Sequence, residues 1–166
     1  REQDPVNIKA AQLIGQLHEK LESHGFEGHP QEIYLVRIVF CLFADDAGIF
    51  EKDILLQYIE NRTSEDGSDL GMHLSKLFQV LNKDIPQRSP NLDKDLQRFP
   101  YVNGGIFEEN VEIPDFDDEM RQIFLEASYL NWSKISPAIF GSMFQSVMNP
   151  TERSNLGHTI PRRKTF

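Results

Sequence analysis

The fold is decided by the stretch Ile33-Tyr34-Leu35-Val36-Arg37-Ile38-Val39-Phe40-Cys41-Leu42-Phe43, which is apolar on nearly every side. Such a run fits either a central strand or a buried helix. The surrounding segment, from about Pro30 to Ala47, continues for roughly 17 residues without a breaker, which is too long for an ordinary strand. We therefore predict a helix that ends at Gly48. A helix that is apolar all round is enclosed by other helices, so this one is the predicted hub of the core.

Helical spacing of apolar residues recurs on both sides of this central segment. Asp4-Pro5 starts a predicted helix over about 5–24, and Gly25 stops it. The apolar positions of this helix are Ile8, Ala11, Leu13, Ile14, Leu17 and Leu21. Further helices are predicted around Ile54–Ile59, over about 68–82 and 117–128, and from Ser136-Pro137 to Asn149-Pro150, with single helical turns at 92–97 and 151–156.

A different pattern interrupts the helices at Tyr101-Val102-Asn103-Gly104-Gly105-Ile106-Phe107. Asn-Gly between apolar β-forming residues predicts a hairpin, because a type I′ turn needs positive φ at both central positions. A lone hairpin is marginally stable, so we expect it to lean on the helices. The predicted fold is mainly α: a multi-helix bundle of about six helices around a buried central helix, with one small β-hairpin near 101–107.

Composition narrows the class of protein without naming an activity. The chain has 166 residues, 17 Lys and Arg against 26 Asp and Glu, and a net charge of −9. Its one Cys excludes an intramolecular disulfide and a multi-thiolate zinc site. No run approaches the roughly 18 apolar residues of a membrane span, so we expect a cytoplasmic protein with no membrane partner. Because it begins with Arg rather than Met, we also expect a piece of a longer protein.

The densest carboxylate group is Asp45-Asp46 followed by Glu51 and Asp53. One hypothesis is a magnesium-dependent hydrolase that uses Asp45, Asp46 and Glu51. Adjacent Asp residues on a helix point about 100° apart, which favours a solvated helix end instead. His24 and His29 could meet across a turn, but a pair without a third ligand is a weak metal site.

Cys41 lies in the middle of the central helix, with Arg37 one turn away. Burial argues against a reactive thiol there and favours a core residue. The chain has no GxSxG elbow, GxxxxGK[ST] loop or GxGxxG loop. We therefore predict no catalytic, cofactor-binding or metal-ligating residue.

The strongest local charge is at the C-terminal tail. Residues 149–166 carry +3, whereas residues 1–148 carry −12. A basic tail on an acidic body is a contact to a nucleic-acid phosphate backbone, a linker whose charge has no role, or residual sequence at a boundary of the piece. The DNA-contact candidates are Arg153, Arg162, Arg163 and Lys164.

Three stretches carry a resemblance to a known family: FCLFADDAGIF at 40–50, FPYVNGGIF at 99–107 and NWSKISPAIFGSMFQSVM at 131–148. In order and spacing they resemble the helical spacer of the large single-chain type II restriction-modification enzymes and related bacterial DNA methylases. In that family an N-terminal nuclease is joined through the spacer to an adenine-N6 methyltransferase, and a target-recognition domain follows.

The resemblance implies a spacer domain at 1–156 and a tail at 157–166 that leads toward an absent methyltransferase. Asn149-Pro150-Thr151-Glu152 lacks the second Pro and the aromatic residue that a flipped adenine needs. The resemblance thus implies a non-catalytic connector that sets the distance and orientation of nuclease and methyltransferase on DNA. S-adenosylmethionine, with magnesium as a second candidate, is then a cofactor of the parent enzyme and not of this piece.

The alternative is a stand-alone helical protein-interaction module that docks a basic partner through its acidic surface. Trp132 and Phe116 are its candidate exposed anchors, although ordinary core packing is the favoured interpretation of both rings.

Overall fold

The structure, a computed structural model, describes residues 4–136, 138 and 140–142. The helices in that part are α1 Pro5–Ser23, α2 His29–Asp46, α3 Ile54–Arg62, α4 Leu70–Leu81, α5 Lys94–Gln97 and α6 Asp118–Ser128, with 3-10 turns at Ile85–Gln87 and Trp132–Lys134. None of these helices is long and apolar enough to cross a bilayer. The predicted helix after Ser136 lies largely outside the described residues, and the predicted turn at 151–156 lies wholly outside them.

Local sequence signals set the helix ends. The Asp4 carboxylate accepts a hydrogen bond from the Val6 N–H at 3.0 Å, and Pro5 occupies the first position of α1. Asp117 caps α6 in the same way, since its carboxylate accepts from the Met120 N–H at 2.9 Å. The predicted bounds of α1, α2, α4 and α6 therefore lie close to the observed ones.

Helix α2 is the hub of the core, as predicted. Tyr34 and Ile38 are at most 1% exposed, and α1, α3 and the Trp132–Lys134 turn pack against α2 while α6 lies against α1. The rings of Phe26 and Phe78 contact Tyr34 edge to face, with centroids 5.7 and 5.1 Å away. Aromatic side chains from separate elements thus enclose the central helix.

Gly71 shows a close approach that the sequence pattern does not reveal. A Cβ at this position in α4 would lie 2.0 Å from the carbonyl oxygen of Pro114. The Tyr34 hydroxyl donates a hydrogen bond to the Gly71 carbonyl oxygen at 3.2 Å. Glycine is therefore needed at position 71, although it is a weak helix former, because α4 packs here directly against the backbone that precedes α6.

The predicted hairpin at 101–107 is wrong. This segment forms bends and a turn, and no strand occurs among the residues that the structure describes. The Val102 N–H donates to the Leu81 carbonyl oxygen at 2.8 Å, at the end of α4. The Ile106 carbonyl oxygen accepts from Arg37 Nε at 2.9 Å. The backbone groups that a hairpin would pair with each other are paired with two helices instead.

Positive φ also falls one residue later than the hairpin requires. Gly104 and Gly105 have φ of 143° and 87°, whereas Asn103 is not among the positive-φ residues. A type I′ turn over Asn-Gly needs positive φ at the Asn. The mainly α class is confirmed, and the β element is replaced by an irregular loop.

Candidate functional site

The three stretches that carry the family resemblance meet at the C-terminal half of α2 and in the segment directly after it. Edge-to-face ring pairs join them there: Phe40 with Phe107 at 5.9 Å, Phe43 with Phe140 at 5.0 Å and Phe50 with Phe99 at 5.1 Å. We call this meeting point the α2 junction and count in it Arg37, Phe40, Phe43, Asp45, Asp46, Phe99, Phe107 and Trp132. The residues that identify the family thus hold distant segments together.

Asp45 holds the start of α3. Its carboxylate accepts hydrogen bonds from the N–H groups of Leu55 at 2.9 Å and Leu56 at 3.2 Å. The residue is 5% exposed. Burial raises the pKa of the Asp45 carboxyl to about 6, although the two backbone hydrogen bonds lower it in part.

Asp46 holds the segment that follows α6. Its carboxylate accepts from the Trp132 N–H at 2.7 Å. The Trp132 side chain is fully buried, and its Nε1–H donates to the Ala127 carbonyl oxygen at 2.8 Å. The chain that leaves α6 is therefore fixed both to α2 and to the end of α6.

The hypothetical magnesium site does not match this geometry. Asp45 and Asp46 point to different elements, as their adjacent positions on a helix predict. Glu51 accepts from Arg98 Nη2 at 2.7 Å. No group of three or more His, Cys, Asp or Glu that could hold a metal occurs in the described part of the chain. The favoured solvated helix end is wrong as well, because the carboxylates of Asp45 and Asp46 are buried and bonded to backbone groups of other segments.

Arg37 fixes the 103–110 loop to α2. It is 3% exposed, and it donates to the carbonyl oxygens of Ile106 at 2.9 Å and Glu109 at 2.7 Å. Its guanidinium carbon lies 5.7 Å from the ring centroids of Phe78 and Phe107. Sequence reasoning missed this role. The signal was present, because Arg37 is a lone charge in the most apolar stretch of the chain.

The Asn7 clasp joins the first and last parts of the described body. The Asn7 side-chain oxygen accepts a hydrogen bond from the Ser136 N–H at 3.1 Å. Asn7 is 8% exposed, whereas Ile8, which was predicted on the inward face, is 54% exposed. The buried face of α1 begins at Asn7 and Ala10. A polar residue in phase with buried apolar positions was the available signal.

Two other candidate sites, the His24 and His29 pair and Cys41, lie in separate places in the structure. His24 contacts Asp117 through Nε2 at 3.1 Å, and His29 contacts Glu109 at 2.9 Å, so each histidine faces its own carboxylate and the two do not form a pair. Cys41 is buried, and burial raises the pKa of its thiol. The prediction of a core cysteine is confirmed.

The two candidate anchors of the interaction module are core residues, so the favoured interpretation of core packing is confirmed and the anchor role is wrong. Phe116 is 5% exposed and Trp132 is fully buried, because their rings fill the core around Tyr34 and Phe140. The tail candidates, Arg153, Arg162, Arg163 and Lys164, lie outside the described residues. The DNA contacts predicted for the tail stay a prediction.

Fold and junction together define a helical body assembled on one central helix, in which the buried Arg37 and Asp45 are hydrogen-bonded to backbone groups. Residues 29–107 match the family described as "MmeI, helicase spacer domain". This segment is thus similar to the spacer domain of MmeI, and the resemblance drawn from the three stretches is confirmed.

Two larger proteins extend the match beyond that segment. The chain is 37% identical over 159 residues to "DNA methyltransferase A" of Bacillus subtilis (strain 168), which covers 93% of this chain and 18% of that protein. A solved structure of the "Type IIL restriction-modification enzyme MmeI in complex with DNA" matches with a TM-score of 0.82 and 54% identity, over 95% of this chain and 21% of that one. The chain therefore spans about a fifth of either relative.

Proposed function

We propose that this chain is a non-catalytic helical connector within a larger bacterial DNA-modifying enzyme. It would hold a nuclease and an adenine-N6 methyltransferase in a fixed relation on DNA. The match to a DNA methyltransferase and to a restriction-modification enzyme in complex with DNA supports this proposal. S-adenosylmethionine, and magnesium for cutting, would act in the parent enzyme, which we place in the cytoplasm. The domain limits 1–156 and 157–166 belong to the same proposal.

The observation that carries the proposal is that hydrogen bonds join the first and the last parts of the described body. Helix α1 is bonded to the segment after α6 through the Asn7 clasp at 3.1 Å. The same segment is bonded to α2 through Asp46 and the Trp132 N–H at 2.7 Å. Segments attached before α1 and after Ser136 would then keep a fixed mutual orientation. A flexible linker does not do this, because its end-to-end distance fluctuates.

The clasp is tested by measuring the distance between spin labels on either side of it. Lys9 and Lys134 are exposed and suit labelling after Lys→Cys substitution, in a chain where the buried Cys41 is replaced by Ala. We expect one narrow distance distribution, which Asn7→Ala broadens. The control is Gln12→Ala, an exposed polar residue of the same helix. A broad distribution before any clasp mutation, or equal broadening by both variants, would refute a rigid tie.

The connector role is tested in the MmeI enzyme whose structure this chain matches. The 166-residue chain replaces the matching segment of that enzyme, and methylation and the position of cutting are measured on one substrate. We expect both activities to persist, with Asn7→Ala spreading the cut positions while methylation stays unchanged. If cut positions are insensitive to Asn7→Ala although the labels show loosening, the body does not set the reach of cutting.

A further inference from the structure

A patch of positive charge lies at the C-terminal end of α4. Lys76, Lys83 and Arg88 line a shallow depression of about 70 Å³ together with Gln79 and Ser89. We call these five residues the α4 patch. We propose that the α4 patch contacts the phosphate backbone of double-stranded DNA.

The positive charge of the α4 patch is not neutralised by ion pairs. Within the described residues, Lys76, Lys83 and Arg88 make no salt bridge, and Asp84 acts on Arg88 only electrostatically. Four other cations of the body are paired, namely Lys20 with Glu119, Lys52 with Asp46 and Asp53, Arg62 with Asp93 and Asp95, and Arg98 with Glu51, whereas the separate Lys9, Lys94 and Lys134 make no salt bridge within the described residues. The patch thus keeps its charge available for a partner.

Arg88 gives the α4 patch a rigid base. It donates to the carbonyl oxygens of Val80 at 3.0 Å, Lys83 at 3.0 Å and Phe99 at 2.8 Å. Three of the five N–H groups of its guanidinium are used in this way, so two remain for an anion. These bonds also close the end of α4 and fix the backbone that carries Lys83.

The two lysines are placed to follow an extended polyanion. Lys76 lies on α4, Lys83 lies two residues beyond the end of that helix at Leu81, and both line the same depression. Both are exposed, and the exposed Gln79 lies between them. Long flexible cations with an amide between them bind phosphate oxygens without reading base sequence.

The charge of the rest of the body favours this patch over other surfaces. Residues 1–148 carry −12, so most of the body repels a polyanion. A depression of about 70 Å³ is too small for a nucleotide-sized ligand. The choice of DNA over an acidic polypeptide rests on the proposed function.

The experiment measures binding of the 166-residue chain to a fluorescent 20-base-pair duplex of arbitrary sequence across a salt series. The variant is Lys76→Gln with Lys83→Gln. The matched control is Lys9→Gln with Lys134→Gln, which removes two exposed charges elsewhere. A third variant changes the tail residues Arg153, Arg162, Arg163 and Lys164 to Gln. Thermal unfolding of each variant confirms an intact fold.

For the patch variant we expect the slope of log affinity against log salt to fall by about 2 and affinity at low salt to fall at least about tenfold. The control should stay within about twofold of the unmodified chain. The proposal would be overturned if the patch variant and the control lost equal affinity. It would also be overturned if the tail variant by itself lost all DNA binding, or if the unmodified chain showed no salt-dependent binding. So would equally sensitive binding of fluorescent polyglutamate, which would assign the patch to an acidic polypeptide. None of these outcomes touches the spin-label result, so the connector proposal stands or fails separately.

Discussion

The α2 junction and the α4 patch use charged residues in opposite ways. In the junction, Arg37 and Asp45 are at most 5% exposed, and their hydrogen bonds go to backbone groups of other elements. In the patch, Lys76 and Lys83 are exposed and make no ion pair within the described residues. Buried charges are tolerated only with such partners, whereas exposed charges cost the fold little. The comparison separates residues that build the body from residues available to a partner.

The largest expected effect on stability comes from removing the Trp132 ring from the α2 junction. Trp132→Ala removes a fully buried ring and its hydrogen bond to Ala127. We expect the free energy of unfolding to fall by about 3–5 kcal/mol, measured by urea denaturation. Tyr129→Ala is the control, because that ring is 62% exposed. If both variants lost similar free energy of unfolding, the packing of Trp132 in the core would not contribute to stability as proposed.

A smaller effect follows from removing the buried charge of the junction. Arg37→Met keeps the length of the side chain but leaves the carbonyl oxygens of Ile106 and Glu109 without their donor. We expect a loss of about 2–4 kcal/mol in the free energy of unfolding and faster amide exchange in the 103–110 loop. Arg98→Met, which breaks only an exposed ion pair, should cost under about 1 kcal/mol. No loss on Arg37→Met would contradict the role of Arg37 in holding the loop.

The smallest of the three effects depends on pH. Burial raises the pKa of Asp45 to about 6 in the folded chain, above the ordinary value of 3.8 that the unfolded chain keeps. Between these values the folded state binds more protons, so the contribution of Asp45 to stability is present at low pH and is lost as pH rises through about 6.

We therefore expect unfolding experiments to show wild type gaining about 1 kcal/mol over Asp45→Asn when the pH falls from about 7 to 5. Asn cannot ionise, so the variant lacks this dependence. Glu126→Gln, a change at an exposed carboxylate of α6, provides the control and should track wild type. A constant difference between wild type and Asp45→Asn over that range would show that Asp45 does not titrate there.

Most of the helical framework could be predicted from local pattern. The apolar run of α2, the Asp4-Pro5 start of α1 and the acidic start of α6 all act within a few residues of chain, and the observed helices begin and end close to the predicted points. The family resemblance was also available from sequence. It required only the order of three short stretches and not their contacts.

The site was less predictable, because its bonds join residues far apart in sequence. The Asn103-Gly104 pair favours a hairpin locally, yet Arg37 and the end of α4 take the backbone groups that the hairpin would use. For Phe116 and Trp132 the sequence left exposed anchors and core residues both open while favouring the core, and both are buried. In the loop, a tertiary partner outweighed a local preference.

The sequence by itself determined the helices, the central place of α2, the uneven charge and the family, because periodicity, capping and composition are local properties. Only the tertiary structure decided that Asp46 meets Trp132 across 86 positions and that Asn7 meets Ser136 across 129. Buried polar groups must find hydrogen-bond partners, and which distant group supplies the partner is settled only when the helices pack.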